Sequence, residues 1–402
     1  MLTTQEAAKA LSDLTLDSLY EIPEGRQVLS CIQCGMCAGT CPYGEFMEYP
    51  PRRIIAMLRD GLIEEVFHSE SLLNCVACYA CMSKCPRGIH LTEVLLPLIK
   101  QEMFANLPEV PTELQAALQN TLRYGNPQGL SPRKRADWVK TLDFPIRILT
   151  DDPRPTDVLW FVECYTSYHP RGQDNSRAVA KLLHALGVEF AILGNEERCA
   201  GECARLVGEA GLFDTLRERN VGVFRKYQFK TFLTGGAHAY DAFKYLYPAY
   251  GFNYPLEHTA TFFAGRLEAL KPRLTRKMNH LVAFHDPCCL GRHNGFYEEP
   301  RNLLRAIPGI KLVEMDHHHI NSLCCGGGGG GMWLDTYFKS KGMERLSERR
   351  VKEAIKTGAD VLAVACPLEV SRFEDAVKVM GYENKMVVRD VVELLAEALG
   401  GD

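Results

Sequence analysis

Eight cysteines fall into two copies of one spacing, Cys31-x2-Cys34-x2-Cys37-x3-Cys41-Pro42 and Cys75-x2-Cys78-x2-Cys81-x3-Cys85-Pro86. Thiolates held this close suit soft, sulfide-bridged iron, and each C-x-x-C turn brings backbone N–H groups toward the sulfurs. Structural zinc and disulfides are the competing readings. Zinc takes four ligands in two pairs, which accounts for neither the third Cys of each run nor the proline after the fourth. The chemistry implied is electron transfer.

Both runs resemble those of bacterial two-cluster ferredoxins, in which the fourth Cys of a run ligates the other cluster. That resemblance implies two [4Fe–4S] cubanes. Cys31, Cys34, Cys37 and Cys85 would hold one, and Cys75, Cys78, Cys81 and Cys41 the other. Between the runs lies PPRRIIAMLRDGLIEEVF, a helical stretch where small ferredoxins have a shorter β-rich connection. An α-helical two-cluster module over residues 1–105 is expected, followed by a Pro-rich, polar linker over 106–155 without clear periodicity.

From residue 156 strands and helices alternate, and the order repeats once the remaining cysteines are aligned. Cys164 and Cys288 stand 124 residues apart, Cys199 and Cys324 125, and Gly236 and Cys366 130. A duplicated α/β unit on parallel sheets is expected, over 156–275 and 276–402, with the cysteines at the carboxyl ends of strands. The second copy carries Cys288, Cys289, Cys324, Cys325 and Cys366, enough thiols for a third iron–sulfur site. Six glycines, Gly326–Gly331, follow Cys325; they would let the backbone approach a cluster and aim N–H groups at its sulfurs. The run lacks both the Lys-Ser/Thr of a phosphate loop and the spacing of a dinucleotide fingerprint.

HDPCCLGRHNG, NSLCCGGGGGGMW and ACPLEVSRFEDAV match the second copy of the cysteine-rich CCG-domain pattern strongly, and FVECYTSYHPRGQ, ILGNEERCAGECARLVGEAGLF and TGGAHAYDAFKYLYPAYG match the first in framework. With both ferredoxin runs in front, nearly the whole chain resembles the fused, D-type subunits of heterodisulfide reductase. The resemblance implies an α/β fold, an N-terminal α-helical two-cluster ferredoxin module followed by a duplicated parallel-sheet CCG pair. It also implies a third [4Fe–4S] cluster, of non-cubane type, on Cys288, Cys324, Cys325 and Cys366, the residues that would act on a disulfide.

The chain departs from that pattern at two places. In the first copy CCG has become Cys199-Ala200-Gly201, and the closing C-x-x-C has become Gly236-Ala237-His238-Ala239. Either Cys164, Cys199 and Cys203 hold a metal with His238, or the lobe is empty and structural; loss of the closing pair favours the second. In the second copy the last Cys is Glu369. It is either an acid at a helix start, stabilised by the macrodipole, or a labile carboxylate ligand that leaves an iron open to a substrate sulfur. Cys289 is a spare ligand or a buried thiol.

Several residues have plainer explanations. His317, His318 and His319 read as a solvated loop. His285 and Asp286 are expected to orient the Cys288 loop by hydrogen bonds, and Arg292 and His293 to face an anionic substrate. The charged fraction of 24% and formal net charge of −4 fit a globular protein and argue against a nucleic-acid surface. The longest apolar runs are strand-sized, well short of the roughly 18–20 residues of a membrane span. The N-terminus lacks the pattern of a signal peptide, and Thr3-x-x-Glu6 reads as a helix-opening capping box.

Reduced cluster thiols fit the cytoplasm, with any membrane part supplied by a partner. No flavin fingerprint is present, so a flavin-containing subunit, of heterodisulfide reductase A or electron-transferring flavoprotein type, is the expected electron partner. Two functions follow: an oxidoreductase subunit that reduces or forms a disulfide or persulfide, or a relay between a flavoprotein and a quinone pool or low-potential reductase.

Overall fold

Pro51 opens the helix Pro51–Arg59 at its first position, where a missing N–H costs nothing. Its apolar side buries Ile54, Ile55, Met57 and Leu58. Gly61 then adopts a left-handed backbone, φ 79°, and a second short helix, Ile63–Phe67, follows. The single helical stretch expected between the two cysteine runs is therefore broken in two. Both helices pack with Leu96–Asn106 around Leu19, Val28, Leu72, Ile89 and Ile99, and Cys31, Cys37, Cys75, Cys81 and Cys85 lie against that core. Burying each Leu or Ile here contributes about 1.5–3 kcal/mol, so the cysteine loops stand on a firm helical base.

The computed structural model describes residues 16–106 and 109–400; Thr3 and Glu6 lie outside them. Two compact units form, one of Met1–Gln115, Cys203–Phe213 and Gly326–Arg345, the other of Ala116–Glu202, Asp214–Cys325 and Leu346–Asp402. The first unit therefore takes in two segments of the duplicated region, beyond the 1–105 module expected. No strand occurs in it among the described residues.

The second unit holds two parallel sheets. The first runs in the order β1 (Arg147–Ile148), β3 (Phe190–Ile192), β2 (Thr156–Phe161), β4 (Phe229–Thr234), β5 (Leu256–His258). The second runs β7 (Lys311–Val313), β6 (Leu281–Phe284), β8 (Val361–Val364), β9 (Val387–Asp390). Without β1 the two orders are the same, as a duplication requires. Both copies finish alike: His258 and Asp390, each ending the last strand, cap the next helix through a capping box.

The stretch expected as a linker is structured. It contains the helix Thr112–Tyr124, strand β1, and buried Arg135 and Trp138. The helix buries Leu114, Ala117 and Thr121, a stripe too small and polar to give an apolar period. Trp138 packs edge-on against Trp160 of β2, ring centroids 5.5 Å apart.

Candidate iron–sulfur sites

In the first unit, one cavity is lined by Cys31, Cys34, Cys37 and Cys85, and a second by Cys41, Cys75, Cys78 and Cys81. Each gathers three cysteines of one run with the fourth of the other. The loops reach this arrangement through left-handed residues at matching positions: Gln33 (φ 56°) and Gly35 (φ 84°), Ala77 (φ 49°) and Tyr79 (φ 60°). Three of these carry a Cβ and are strained, the kind of cost that concentrates at functional sites. The turns aim N–H groups at sulfur: Gln33 N donates to Cys31 Sγ at 3.4 Å and Ile89 N to Cys85 Sγ at 3.5 Å.

These thiols are costly as they stand. Burial, then the Cys31 sulfur, pushes Cys37 up to about 11. Burial raises Cys41, Cys75 and Cys81 as well, and Cys78 and Cys75 repel the charged form of Cys41. Four thiols around one cavity, with donors aimed at them, fit a cationic iron–sulfur core that four thiolates would make net negative. Beside the second set lies Lys100, fully buried, whose Nζ donates to the Cys75 carbonyl at 3.0 Å. Sequence reasoning missed it, because a lysine on an amphipathic helix ordinarily faces water.

Gly329 and Gly331 stand against the Cys75–Val76 segment; a Cβ on Gly329 would lie 2.3 Å from the Cys75 carbonyl oxygen. The glycine run was expected around the Cys324 site. The run groups with the first unit, where Gly329 lets its backbone meet that of Cys75 and Val76 beside the second cysteine set.

In the second unit Cys288, Cys289, Cys324, Cys325 and Cys366 are all buried. Cys288 is hydrogen-bonded to Cys289 and Cys324, which hold its thiol well below the usual range. Cys366 precedes the helix Pro367–Val379, whose first turn carries Glu369. His285, Cys325 and Glu369 present ligand atoms within 4.8 Å of one another. Arg350 Nε donates to His285 Nδ1 at 3.0 Å, which leaves His285 Nε2–H for Glu369 Oε1 at 3.1 Å. Glu369 Oε2 is buried and has no hydrogen-bond partner among the described residues. Burial pushes this carboxyl up to about 8. An orphaned carboxylate oxygen close to the Cys288, Cys325 and Cys366 thiols fits a metal cluster.

The loops are latched as expected of His285 and Asp286. Asp286 accepts two bonds from Arg301, at 2.6 and 2.9 Å, and one from His319 N at 2.7 Å. Arg301 also pairs with Glu314, and Ser322 Oγ donates to the Asp286 carbonyl. Arg372 Nε donates to the Cys325 carbonyl at 2.7 Å. Arg292 and His293, expected to face an anion, hold the chain instead. Arg292 Nε donates to the Ile320 carbonyl, and His293 bonds Asp241 at 2.9 Å. The histidine tract is only partly solvated, since His317 pairs with Glu353 and His319 with Glu298.

The first copy looks different. Cys164 and Cys199 are hydrogen-bonded to each other, and Arg135 Nη2 stands 3.1 Å from Cys164 Sγ. Cys203 belongs to the other unit. His238 leaves this pair and lies against Cys289, Nδ1 to Sγ 3.3 Å, while Ala237 N donates to the Cys366 sulfur. The loop that has lost its closing cysteines thus lines the site of the other copy. Glu163 explains the loss: its carboxylate accepts from Thr234 Oγ1 at 2.6 Å and from Gly236 N, and a Cβ on Gly236 would fall 2.0 Å from it. Neither Glu163 nor Arg135 gave a signal in sequence.

Residues 27–89 match the 4Fe-4S dicluster domain, and residues 158–238 and 282–368 each match the cysteine-rich CCG domain. The chain belongs to the family of iron–sulfur oxidoreductases that join these domains, and is related to the D subunit of heterodisulfide reductase. It is 32% identical to the probable iron-sulfur-binding oxidoreductase FadF of Bacillus subtilis, over 73% of this chain and 42% of that protein. It is 31% identical to the EtfAB:quinone oxidoreductase of Syntrophomonas wolfei, over 99% of this chain and 50% of that protein. The D subunit of the dihydromethanophenazine:CoB--CoM heterodisulfide reductase of Methanosarcina barkeri is 33% identical, over 69% of this chain and 66% of its own length. The chain thus spans half or less of the first two. No helix among the described residues is long and apolar enough to cross a membrane.

Proposed function

We propose that this chain carries electrons between a flavin-containing partner and a sulfur centre, as one subunit of a larger complex. Cys31, Cys34, Cys37 and Cys85 would hold one [4Fe–4S] cubane and Cys41, Cys75, Cys78 and Cys81 a second. Cys288, Cys324, Cys325 and Cys366 would hold a third cluster, of non-cubane type, with Glu369 as its labile fifth ligand. When bound, such clusters accept and release electrons one at a time. The chain's own residues fix the sulfurs, exclude water and orient the site: Arg372 holds the Cys325 carbonyl, and His285 turns Glu369 so that Oε2 stays free.

The substrate class is a disulfide or persulfide, reduced or formed beside Cys324 and Cys325. The observation that carries this reading is the unpartnered Glu369 oxygen among buried thiols. Cys324→Ala should abolish turnover of such a substrate while both cubane signals persist, and iron should fall from about twelve per chain to about eight. Unchanged turnover removes the assignment.

A second reading, a relay between an electron-transferring flavoprotein and a quinone pool or low-potential reductase, gains support from the likeness to EtfAB:quinone oxidoreductase along nearly the whole chain. Electron paramagnetic resonance separates the two. A substrate-induced signal at the third site supports sulfur chemistry. Cubane signals alone, with reoxidation by a flavoprotein, support the relay. In either case, association with a membrane would come through a partner.

A further inference from the structure

The first copy keeps two sulfurs and lacks the means to hold a cluster. Ala200 stands where the second copy has Cys325, and Gly236 where it has Cys366. What surrounds the pair is instead suited to a reactive thiol. Arg135 is buried, its Nε donates to Glu197 Oε1 at 3.2 Å, and its Nη2 reaches Cys164 Sγ at 3.1 Å. Glu197 is itself locked by the backbone N–H groups of Val162 and Glu163, at 2.9 and 2.8 Å. The guanidinium therefore cannot turn away from the sulfur. On the other side Gly201 N donates to Cys199 Sγ at 3.4 Å. The Gly125 carbonyl ties the two residues together, accepting from Cys199 N at 2.8 Å and lying 3.8 Å from Cys164 Sγ. Burial keeps Cys164 a thiol despite the guanidinium, while the hydrogen bond from Cys164, Gly201 N and the charge of Arg135 favour thiolate at Cys199, and thiolate is the form that attacks disulfides. Cys199 is the more exposed of the two and Cys164 the buried one, as in a pair with an attacking and a resolving sulfur.

We propose that Cys164 and Cys199 form a dithiol site that exchanges with low-molecular-weight or protein disulfides, closing a reversible Cys164–Cys199 bond. The Cys199 thiolate attacks one sulfur of R–S–S–R; that S–S bond breaks, RS⁻ leaves, and a mixed disulfide forms on Cys199. Cys164 then attacks the Cys199 sulfur and expels the second RS⁻. Two electrons pass from the two cysteines to R–S–S–R, and the two protons of the thiols end on two RSH. The cluster-free copy thus stores an electron pair, next in sequence to a copy equipped for sulfur chemistry. This inference does not depend on the third cluster being present.

The test uses the full chain, purified without oxygen and equilibrated in mixtures of oxidised and reduced glutathione. The samples are quenched in acid, alkylated and mapped by peptide mass spectrometry. A linked Cys164–Cys199 peptide should rise with the oxidised fraction and disappear again in excess reduced glutathione. In Cys164→Ser, a glutathione adduct should accumulate on Cys199. Arg135→Gln should slow closure of the bond roughly tenfold with iron content unchanged. Two results would overturn the proposal: both cysteines alkylated at every glutathione ratio in the unaltered chain, or loss of a cluster's worth of iron in Cys164→Ser.

Discussion

Lys100 is the most informative single perturbation. Its ammonium is buried with the Cys75 carbonyl as its hydrogen-bond acceptor, and burial lowers its pKa while the Cys75 sulfur opposes the fall. A buried cation held only by a carbonyl is expensive unless a negative charge lies close by. The cysteine set Cys41, Cys75, Cys78 and Cys81, loaded with a reducible cluster, would supply that charge. Two unit charges 4 Å apart interact by about 4 kcal/mol at an effective dielectric near 20, and doubling the separation halves this. Because the ammonium meets the Cys75 carbonyl and not its sulfur, about 2 kcal/mol is the working value. A one-electron couple moves about 59 mV for each tenfold, or about 1.4 kcal/mol, so Lys100→Met should lower the midpoint potential of that cluster by roughly 80 mV. The other cluster should move much less. Redox titration followed by electron paramagnetic resonance reads both, and Cys34→Ser, which alters the exposed ligand of the other set, assigns the signals. Equal shifts at both clusters, or none at either, would refute a local charge effect.

Three further outcomes follow from the same geometry. Gly329→Ala forces a Cβ into the Cys75 carbonyl at a left-handed residue, so the first unit should lose about 2–4 kcal/mol. The check is a lower melting temperature with iron lost from the second set before the first. Arg301→Met strands Asp286 and Glu314 and should cost about 3–5 kcal/mol. Burial raises both carboxyls, but Arg301 more than offsets it and holds them below their usual values. Their contribution is therefore present above the ordinary carboxylate pKa and lost as pH falls through the folded value, and acid melts of the variant should lack that slope. His258 is held neutral by burial at about 4, its Nδ1 capping Ala260 N. Since the unfolded chain takes a proton near pH 6.5 and the folded one does not, stability falls on acidification. From pH 7 to pH 5 this group should remove roughly 2 kcal/mol. Asn also caps helices well, so His258→Asn should melt normally at pH 7 and show a smaller acid loss.

The parts of this protein readable in sequence are those governed by short spacing or by a strong period. The two cysteine runs, the repeat offsets and strands β2, β4, β6 and β8 are of that kind, because a central parallel strand carries a buried apolar run even where, as at Lys230 of β4, its start is polar. Edge strands β5 and β9 are short and half polar, as in Leu256-Glu257-His258, and give no such pattern. The helix Thr112–Tyr124 hides for a related reason: its buried face is Leu114, Ala117 and Thr121. The glycine run was legible as a place of close approach but not in its target, since nothing local in sequence tells Cys75 from Cys324. Lys100 and Arg135 are polar residues whose burial, and Glu163 one whose place against Gly236, only tertiary packing decides.

The divergence of the two copies has one physical thread. A cluster site needs several thiols and room for iron, and in the first copy both have been replaced at once by charge. The Glu163 carboxylate fills the space that a side chain at position 236 would need, which is why glycine stands there. Arg135, from a segment ahead of the repeat, brings a cation to Cys164, and Glu197 fixes it in place. Arg135 pairs with Glu197, and Glu163 accepts from Thr234 and Gly236, so both carboxylates are hydrogen-bonded and would be costly to strip of their partners. The loop freed of its closing cysteines then meets the second copy, where His238 lies on Cys289 and Ala237 N on Cys366. The degenerate copy is thus part of the wall around the cysteines of the second. Restoring a cysteine at position 236 alone should not regain iron, because Glu163 would still occupy the space. Iron bound on Gly236→Cys alone would show that the carboxylate was never the obstacle.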